Sequence, residues 1–387
     1  MNPAFYPAVS YGGTVESCYK ISKELVKRKH NVTVYTSNTI DRYNKITYKF
    51  LTIYGINVYY FRNISNFLAW NRFIFNPEMV YHLNAYLKSF EIIHLHNYRN
   101  FQNIVAHHYA KKYRIPYILQ AHGSLPRISQ KTKLKKVFDY NFGYDILHDA
   151  SKVIALTKSE VNSYRSMGVA KDKISIIPNG INLSDFKNIK INGHFREKYN
   201  IKFNTKIILF IGRINKIKGL DILIEAYNYA IKKLHLKNTL LVIVGPDDGY
   251  LNQLKSLINI KNLTNNVLLT GPLYNFDKIE IYREADFIVL PSRYETFPNV
   301  ILEAYAFSKP VIASNVESIS DIIINGKTGV LFPSEDIIKL AESLETMVNS
   351  SEDVKTMGCN AFNHVKLNYS IDKVIDSIEM IYKEILY

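Results

Sequence analysis

Short apolar runs rich in Ile, Val and Leu punctuate this chain, and most are followed by longer stretches whose apolar positions recur every three to four residues. Runs of the first kind read as buried strands, and the second kind as amphipathic helices. In the first half the pattern predicts strands at 31–36, 56–61, 91–95, 116–121, 152–156 and 173–177. In the second half it predicts them at 206–211, 239–244, 266–270, 286–290, 309–313 and 329–332. Val15, Cys18, Ile21 and Leu25 form one stripe of a helix near the start, and about the last 50 residues read as helices. Such alternation predicts an α/β protein of parallel sheets with helices on both faces. No 20–50-residue repeat and no low-complexity tract interrupts it.

Composition narrows the class. A chain of 387 residues can fill two cores, and 47% hydrophobic content is ordinary for a globular protein. No apolar stretch approaches the ~18–20 residues that cross a bilayer, and the start lacks the basic and apolar regions of a signal peptide. Cys18 and Cys359 have no C-x-x-C context, which argues against both a disulfide framework and a zinc site. The expected setting is cytoplasmic. Charge is distributed unevenly: up to residue 190 there are 27 Lys/Arg against 11 Asp/Glu, whereas the remainder has 22 against 23. Lys131, Lys133, Lys135 and Lys136 concentrate it further. A basic half can serve nucleic acid, an anionic membrane or an anionic substrate. No nucleic-acid motif accompanies it, so nucleic acid is not expected as a partner. The expectation divides between a plain soluble basic surface and docking on an anionic membrane surface.

The most informative chemistry is Pro291-Ser-Arg-Tyr-Glu-Thr-Phe-Pro-Asn-Val-Ile-Leu-Glu303. Glu295 follows the predicted strand 286–290, and Glu303 lies one turn into a helix opened by Pro298. A carboxylate at a strand's carboxyl end and one in the next helix share the crevice where open α/β sheets bind ligands. The helix start also offers N–H groups to a phosphate. Arg213 and Lys218 follow the strand 206–211 in the same half, and their cations suit a diphosphate. No G-x4-G-K-[ST] is present, which argues against ATP hydrolysis. In the first half Gly12-Gly13 precedes a helix, where backbone can approach a ligand closely. His94 and His96 share one strand face, but two ligands without a third rank a metal below a ligand-lining role.

Tyr11-Gly-Gly13, Ile176-Ile-Pro-Asn-Gly-Ile-Asn182, Ile207-Ile-Leu-Phe-Ile-Gly-Arg213 with Lys218-Gly219, and Glu295-x7-Glu303 follow one another in that order along the chain. Together they resemble the signature of retaining glycosyltransferases of the GT-B fold, family 4. The resemblance implies two Rossmann-like domains facing across a cleft, at 1–180 and 181–370, with a final helix at 371–387 crossing back to the first. It implies transfer of a sugar from a nucleotide-diphosphate sugar to a glycan or lipid-pyrophosphate acceptor, with retention and with no metal or other cofactor. Arg213 and Lys218 would then neutralise the leaving diphosphate, Glu295 would hold donor-sugar hydroxyls, and Glu303 would accept from ribose hydroxyls. His122, in Gln120-Ala-His-Gly-Ser124, would contact the donor sugar near the reaction centre. Phe297 and Asn299 would line the substrate, Gly12 and Gly13 would present backbone to it, and His96 and Asn97 would touch acceptor. One departure stands out. The family opens on a buried strand before the Gly-Gly loop, and Met1-Asn-Pro-Ala-Phe-Tyr-Pro7 leaves it little room, so the expectation is a truncated first strand or a stub. A sugar-nucleotide epimerase of the same fold and a non-catalytic partner subunit are the competing readings. An NAD-dependent dehydrogenase would need a G-x-G-x-x-G that is absent.

Overall fold

The computed structural model describes residues 1–71, 73–127, 132–186 and 194–387; Lys131 of the basic cluster lies outside them. The chain divides into two compact units, Met1–Gly180 with Ile371–Tyr387, and Ile181–Ser370.

The second unit holds one six-stranded sheet built from β8 (Lys206–Ile211), β9 (Thr239–Val244), β10 (Val267–Gly271), β11 (Phe287–Leu290), β12 (Val311–Ser314) and β13 (Gly329–Phe332). Every pair is parallel, in the order β10-β9-β8-β11-β12-β13. The central strands are apolar along their whole length because helices cover both faces, giving separate clusters on the two sides. Chain order reverses between β8 and β11. Open α/β sheets bind ligands beyond the carboxyl ends of the strands at such a switch point.

The first unit has the same design with a break in it. β1 (Thr33–Ser37), β2 (Phe50–Ile53) and β3 (Ile56–Phe61) form one sheet in the order β1-β3-β2. β4 (Ile93–His96), β5 (Tyr117–Gln120), β6 (Lys152–Ala155) and β7 (Ile174–Ile176) form another in sequence order. Residues 1–3 lie between them. Asn2 N donates to Tyr35 O at 3.2 Å and Ser37 N to Pro3 O at 3.3 Å on one side, while His96 N donates to Met1 O at 2.9 Å on the other. Residues 1–3 therefore hydrogen-bond to both neighbouring part-sheets. Each of the strands expected from the apolar pattern is present, four with the expected bounds and the others with ends moved by a residue or two. β2 was not expected: it is a short, exposed, antiparallel edge strand on the Tyr54–Gly55 turn.

The helix Ile371–Leu386 completes the first unit's core. Ile371, Val374, Ile375, Ile378 and Ile381 pack against Ile118, Ile154 and Ile177. The chain leaves and re-enters this unit at neighbouring points, since a Cβ on Gly180 would stand 2.9 Å from the Cα of Ile371. Only glycine allows that approach.

Candidate active site

Beyond the carboxyl ends of β8 and β11, two loops from different parts of the sequence bring opposite charges together. The β8 loop ends in a 3-10 turn, Lys216–Lys218, and Gly219 follows with φ +69° before the helix Leu220–Lys233. A side chain there would clash: a Cβ on Gly219 would lie 2.0 Å from the carbonyl oxygen of Pro291. This left-handed, backbone-tight glycine seats the Lys218 turn against the β11 loop. Lys218 Nζ then donates to Glu295 Oε1 at 2.5 Å, and Ser292 Oγ donates to the same oxygen at 2.8 Å. Ser318 Oγ donates to the Glu295 carbonyl at 2.6 Å, fixing the loop from the far side. Both side chains are largely buried, 17% exposed for Lys218 and 10% for Glu295, so the pair is shielded from solvent and its geometry is defined.

Arg293, two residues before Glu295, ties the same loops together again. Its N–H donates to Ile217 O and its guanidinium to Lys216 O, each at 2.8 Å. The guanidinium also forms a two-bond fork on Asp221 and reaches Glu335 at 2.7 Å. These bonds hold Arg293 above the ordinary arginine range, the Asp221 bond being the largest cause. The 860 Å³ groove next to Arg293, between the helices Leu220–Lys233 and Leu251–Ile260, is lined by Asp221, Tyr250 and Glu335 and contains neither Lys218 nor Glu295.

The two expected cations are engaged by different acids. Arg213 is half exposed and pairs with Asp248, which Asn215 Nδ2 also contacts at 3.1 Å. Glu303 lies in the helix Asn299–Ala306 and is buried, its Oε1 accepting from Lys278 Nζ at 2.7 Å and its Oε2 from Tyr282 OH at 2.5 Å. Phe297 packs on the core cluster beside Tyr369, ring centroids 6.3 Å apart, and Asn299 is the first residue of its helix, after Pro298 at the cap. Asp248, Arg293, Lys278 and Tyr282 escaped the sequence reading. Gly245-Pro-Asp-Asp-Gly249, a turn-rich acidic tract after a strand, carried the one available signal for Asp248.

In the first unit, His96 and His122 come together. They stand at the carboxyl ends of β4 and just beyond β5, and His96 Nδ1 lies 3.0 Å from His122 Nε2. His94 stacks on His96 with centroids 4.2 Å apart, and its own Nδ1 lies 2.9 Å from Tyr382 OH of the final helix. Burial holds all three imidazoles neutral: His122 is pushed down to about 3, and His94 and His96 well below the usual histidine range, with the neighbouring charges adding to desolvation. One ring of the bonded pair must donate and the other accept, so the contact couples their tautomers.

His122 has φ +51° and Gly123 φ +74°, a left-handed pair of which the first is unusual for a side-chain-bearing residue. The surroundings fix it. Gly123 N donates to buried Glu160 at 2.5 Å, and burial raises that carboxyl. Arg99 donates to Leu125 O at 2.8 Å and, together with Arg127, to the fully buried Asp139. Asn97 also has positive φ, +64°, and donates from Nδ2 to Asn2 Oδ1 at 3.1 Å. Gly12, φ +97°, caps the helix Gly13–Lys27, and no atom lies within 4 Å of where its Cβ would stand, so the backbone there is open.

Comparison with known proteins gives one consistent result. The model for "Glycosyl transferases group 1" matches residues 192–364, and that for "Glycosyltransferase Family 4" matches residues 11–185. The uncharacterized glycosyltransferase MJ1607 of Methanocaldococcus jannaschii is 29% identical over 394 residues, covering 98% of this chain and 96% of the relative. The capsular polysaccharide biosynthesis glycosyltransferase CapM of Staphylococcus aureus is 27% identical over 253 residues, covering 61% of this chain and 62% of the relative. Among solved structures, Anabaena Alr3699/HepE in complex with UDP superposes with a TM-score of 0.78 at 18% identity, covering 99% of this chain and 98% of that one.

Proposed function

Because the chain belongs to the group 1, family 4 glycosyltransferases and has the GT-B fold, we propose that it is a retaining, metal-independent enzyme moving a sugar from a nucleotide diphosphate to a glycan or lipid-linked acceptor. The observation that carries this reading is the Lys218–Glu295 pair at the β8/β11 switch point. A shielded ammonium beside a carboxylate can take a diphosphate on one side and sugar hydroxyls on the other. Arg213 adds a second cation on the same loop. As the glycosidic bond breaks, negative charge grows on the departing diphosphate, and fixed cations lower the barrier most where that charge develops. Glu295 holds the sugar hydroxyls, Glu303 the ribose, and His122, neutral by burial, offers the sugar a hydrogen bond without a competing charge. HepE has been captured with UDP and with UDP-glucose, which supports a nucleotide-sugar donor and makes UDP-sugars the first to test. CapM supports a role in surface polysaccharide synthesis. The reaction would take place at the cytoplasmic face of a membrane; no helix among the described residues is long and apolar enough to cross one.

The test is turnover of a panel of nucleotide-diphosphate sugars, followed by nucleotide release and by the anomeric configuration of the product. Lys218→Ala and Arg213→Ala should each lower kcat by roughly 10²–10³-fold, the usual loss for one charge-stabilising donor, with the fold intact. Normal turnover in both variants would remove the assignment of these cations. Absence of turnover with every donor, in protein that stays folded, would favour a non-catalytic partner subunit.

A further inference from the structure

Between Asn63 and Asn76 the first unit turns apolar side chains outward. Ile64, Phe67, Leu68, Trp70, Phe73 and Phe75 are between 39% and 62% exposed, within twelve consecutive positions. The segment is not loose. Ser65 caps the short helix Asn66–Trp70 by accepting from Leu68 N, and Asn63 Oδ1 accepts from Phe75 N at 3.2 Å. Asn76 Nδ2 donates to Phe61 O at 2.9 Å, closing the far end. Underneath, Ala69 and Ile74 are buried against Ala4, Ala8, Tyr11 and Val15. Folding thus buries Ala69 and Ile74 while six apolar side chains of the same segment, four of them aromatic, face solvent. Exposed apolar patches of this extent mark an interaction surface.

The surrounding charge selects the occupant. From residue 38 to 78 the sequence has five Lys/Arg and two acids, Glu78 and Asp41. The Asp41 carboxylate is already engaged by Tyr43 N, Asn44 N and Asn44 Nδ2. A second copy of the same basic surface would be repelled, whereas an anionic lipid layer would be attracted. Trp and Phe beside Lys and Arg is the composition that sits at a headgroup boundary. The patch also adjoins the open backbone at Gly12: Trp70 packs edge-on to Tyr11, centroids 5.8 Å apart, and Tyr11 OH is 2.9 Å from Thr39 Oγ1.

We propose that residues 63–71 and 73–76 seat their aromatic face in the headgroup region of an anionic bilayer, beside the Gly12–Gly13 loop. This rests on the reading above that the acceptor is lipid-linked, and it moves the contact away from the lysines at 133–136. Trp70 is the chain's single tryptophan, so the native protein carries its own reporter. With vesicles containing phosphatidylglycerol, Trp70 emission should shift to the blue and be quenched by brominated acyl chains; with pure phosphatidylcholine it should not. Phe67→Gln/Leu68→Gln changes only exposed positions and should lower the vesicle partition coefficient by about tenfold or more, with melting temperature and donor turnover in vesicle-free buffer unchanged. The proposal is overturned by absence of binding to anionic vesicles, by binding that leaves Trp70 unquenched, by equal binding of the variant, or by a soluble dimer that the variant splits. Donor turnover without vesicles tests the transferase reading separately: its loss with Trp70 quenching retained overturns the reaction and leaves the docking surface standing.

Discussion

The two units share an architecture and differ in how they are held together. The second builds its six-stranded sheet from one continuous stretch, and its switch-point loops are clamped by Gly219, Arg293, Ser292 and Ser318. The first has two part-sheets bridged by hydrogen bonds to residues 1–3, and it borrows five core residues from a helix that lies beyond the whole second unit in sequence. The second therefore has the more self-sufficient frame, suited to holding charges at fixed separations. In the first, positions are set by polar props, such as Asp139 between two arginines and Glu160 under Gly123.

The comparison can be broken most directly at the borrowed helix. Ile378 is fully buried, and Ile378→Asp would place an unpaired carboxylate in that core at a cost of at least about 4 kcal/mol. Hydrogen exchange followed by mass spectrometry should show protection lost across Met1–Gly180 and retained in Ile181–Ser370. Uniform loss would mean that the units do not fold independently. Next in size are the two glutamates of the second unit. Glu295→Gln should weaken binding of the nucleotide sugar but not of the free nucleotide diphosphate, whereas Glu303→Gln should weaken both, each by about 1.5–3 kcal/mol for a hydrogen bond to a charged group. Calorimetry giving the same pattern for both variants would contradict the assigned roles.

A graded effect is expected from pH. His94, His96 and His122 bind protons less readily when folded than the ~6.5 of an unfolded histidine. Between that value and their depressed folded values the unfolded chain takes up more protons. Stability of the first unit is then fully present above about pH 6.5 and falls as the pH drops below it, by up to roughly 1.4 kcal/mol per pH unit for each histidine. For His122 the loss continues to about pH 3. In the second unit, His364 is depressed by burial in the same direction, so its transition should also shift, with a shallower slope. Denaturant midpoints recorded from pH 7.5 to 5 check this; parallel slopes would show that the histidine column is not what sets the first unit's acid sensitivity. The smallest effect belongs to the basic surface. Replacing Lys133, Lys135 and Lys136 with Gln should change stability by no more than about 0.5 kcal/mol and should weaken vesicle binding at low salt only, because exposed charge is screened over ~10 Å at 0.1 M.

The parallel-sheet framework was legible because its strands are buried on both faces and so appear as unbroken apolar runs, as in Ile207-Ile-Leu-Phe-Ile211. Lys218 and Glu295 were legible as candidates because each follows such a run. Their partnership was not: it depends on Gly219 meeting Pro291 across more than seventy residues, which no local pattern encodes. The histidine pair escaped for the same reason, since His96 and His122 each read as a ligand-facing residue while the contact between them arises from the pairing of β4 with β5. Asp139 follows a run of lysines in sequence, and only the tertiary fold places Arg99 and Arg127 against it. Residues 1–3 illustrate the limit from the other direction, because so few positions have no periodicity and their place is defined only by the neighbours that bond to them.

The crossing of Ile371–Leu386 into the first unit also sets an order of events during synthesis. As the chain emerges from the ribosome, everything from Ile181 to Ser370 appears before the residues that cap Ile118 and Ile154. The second unit can fold while the first still exposes an apolar face, and closure of that face waits for the last helix to be made. Nascent chains stalled before Ile371 should accordingly be captured by holdase chaperones through the first unit, and released once the helix has cleared the exit tunnel.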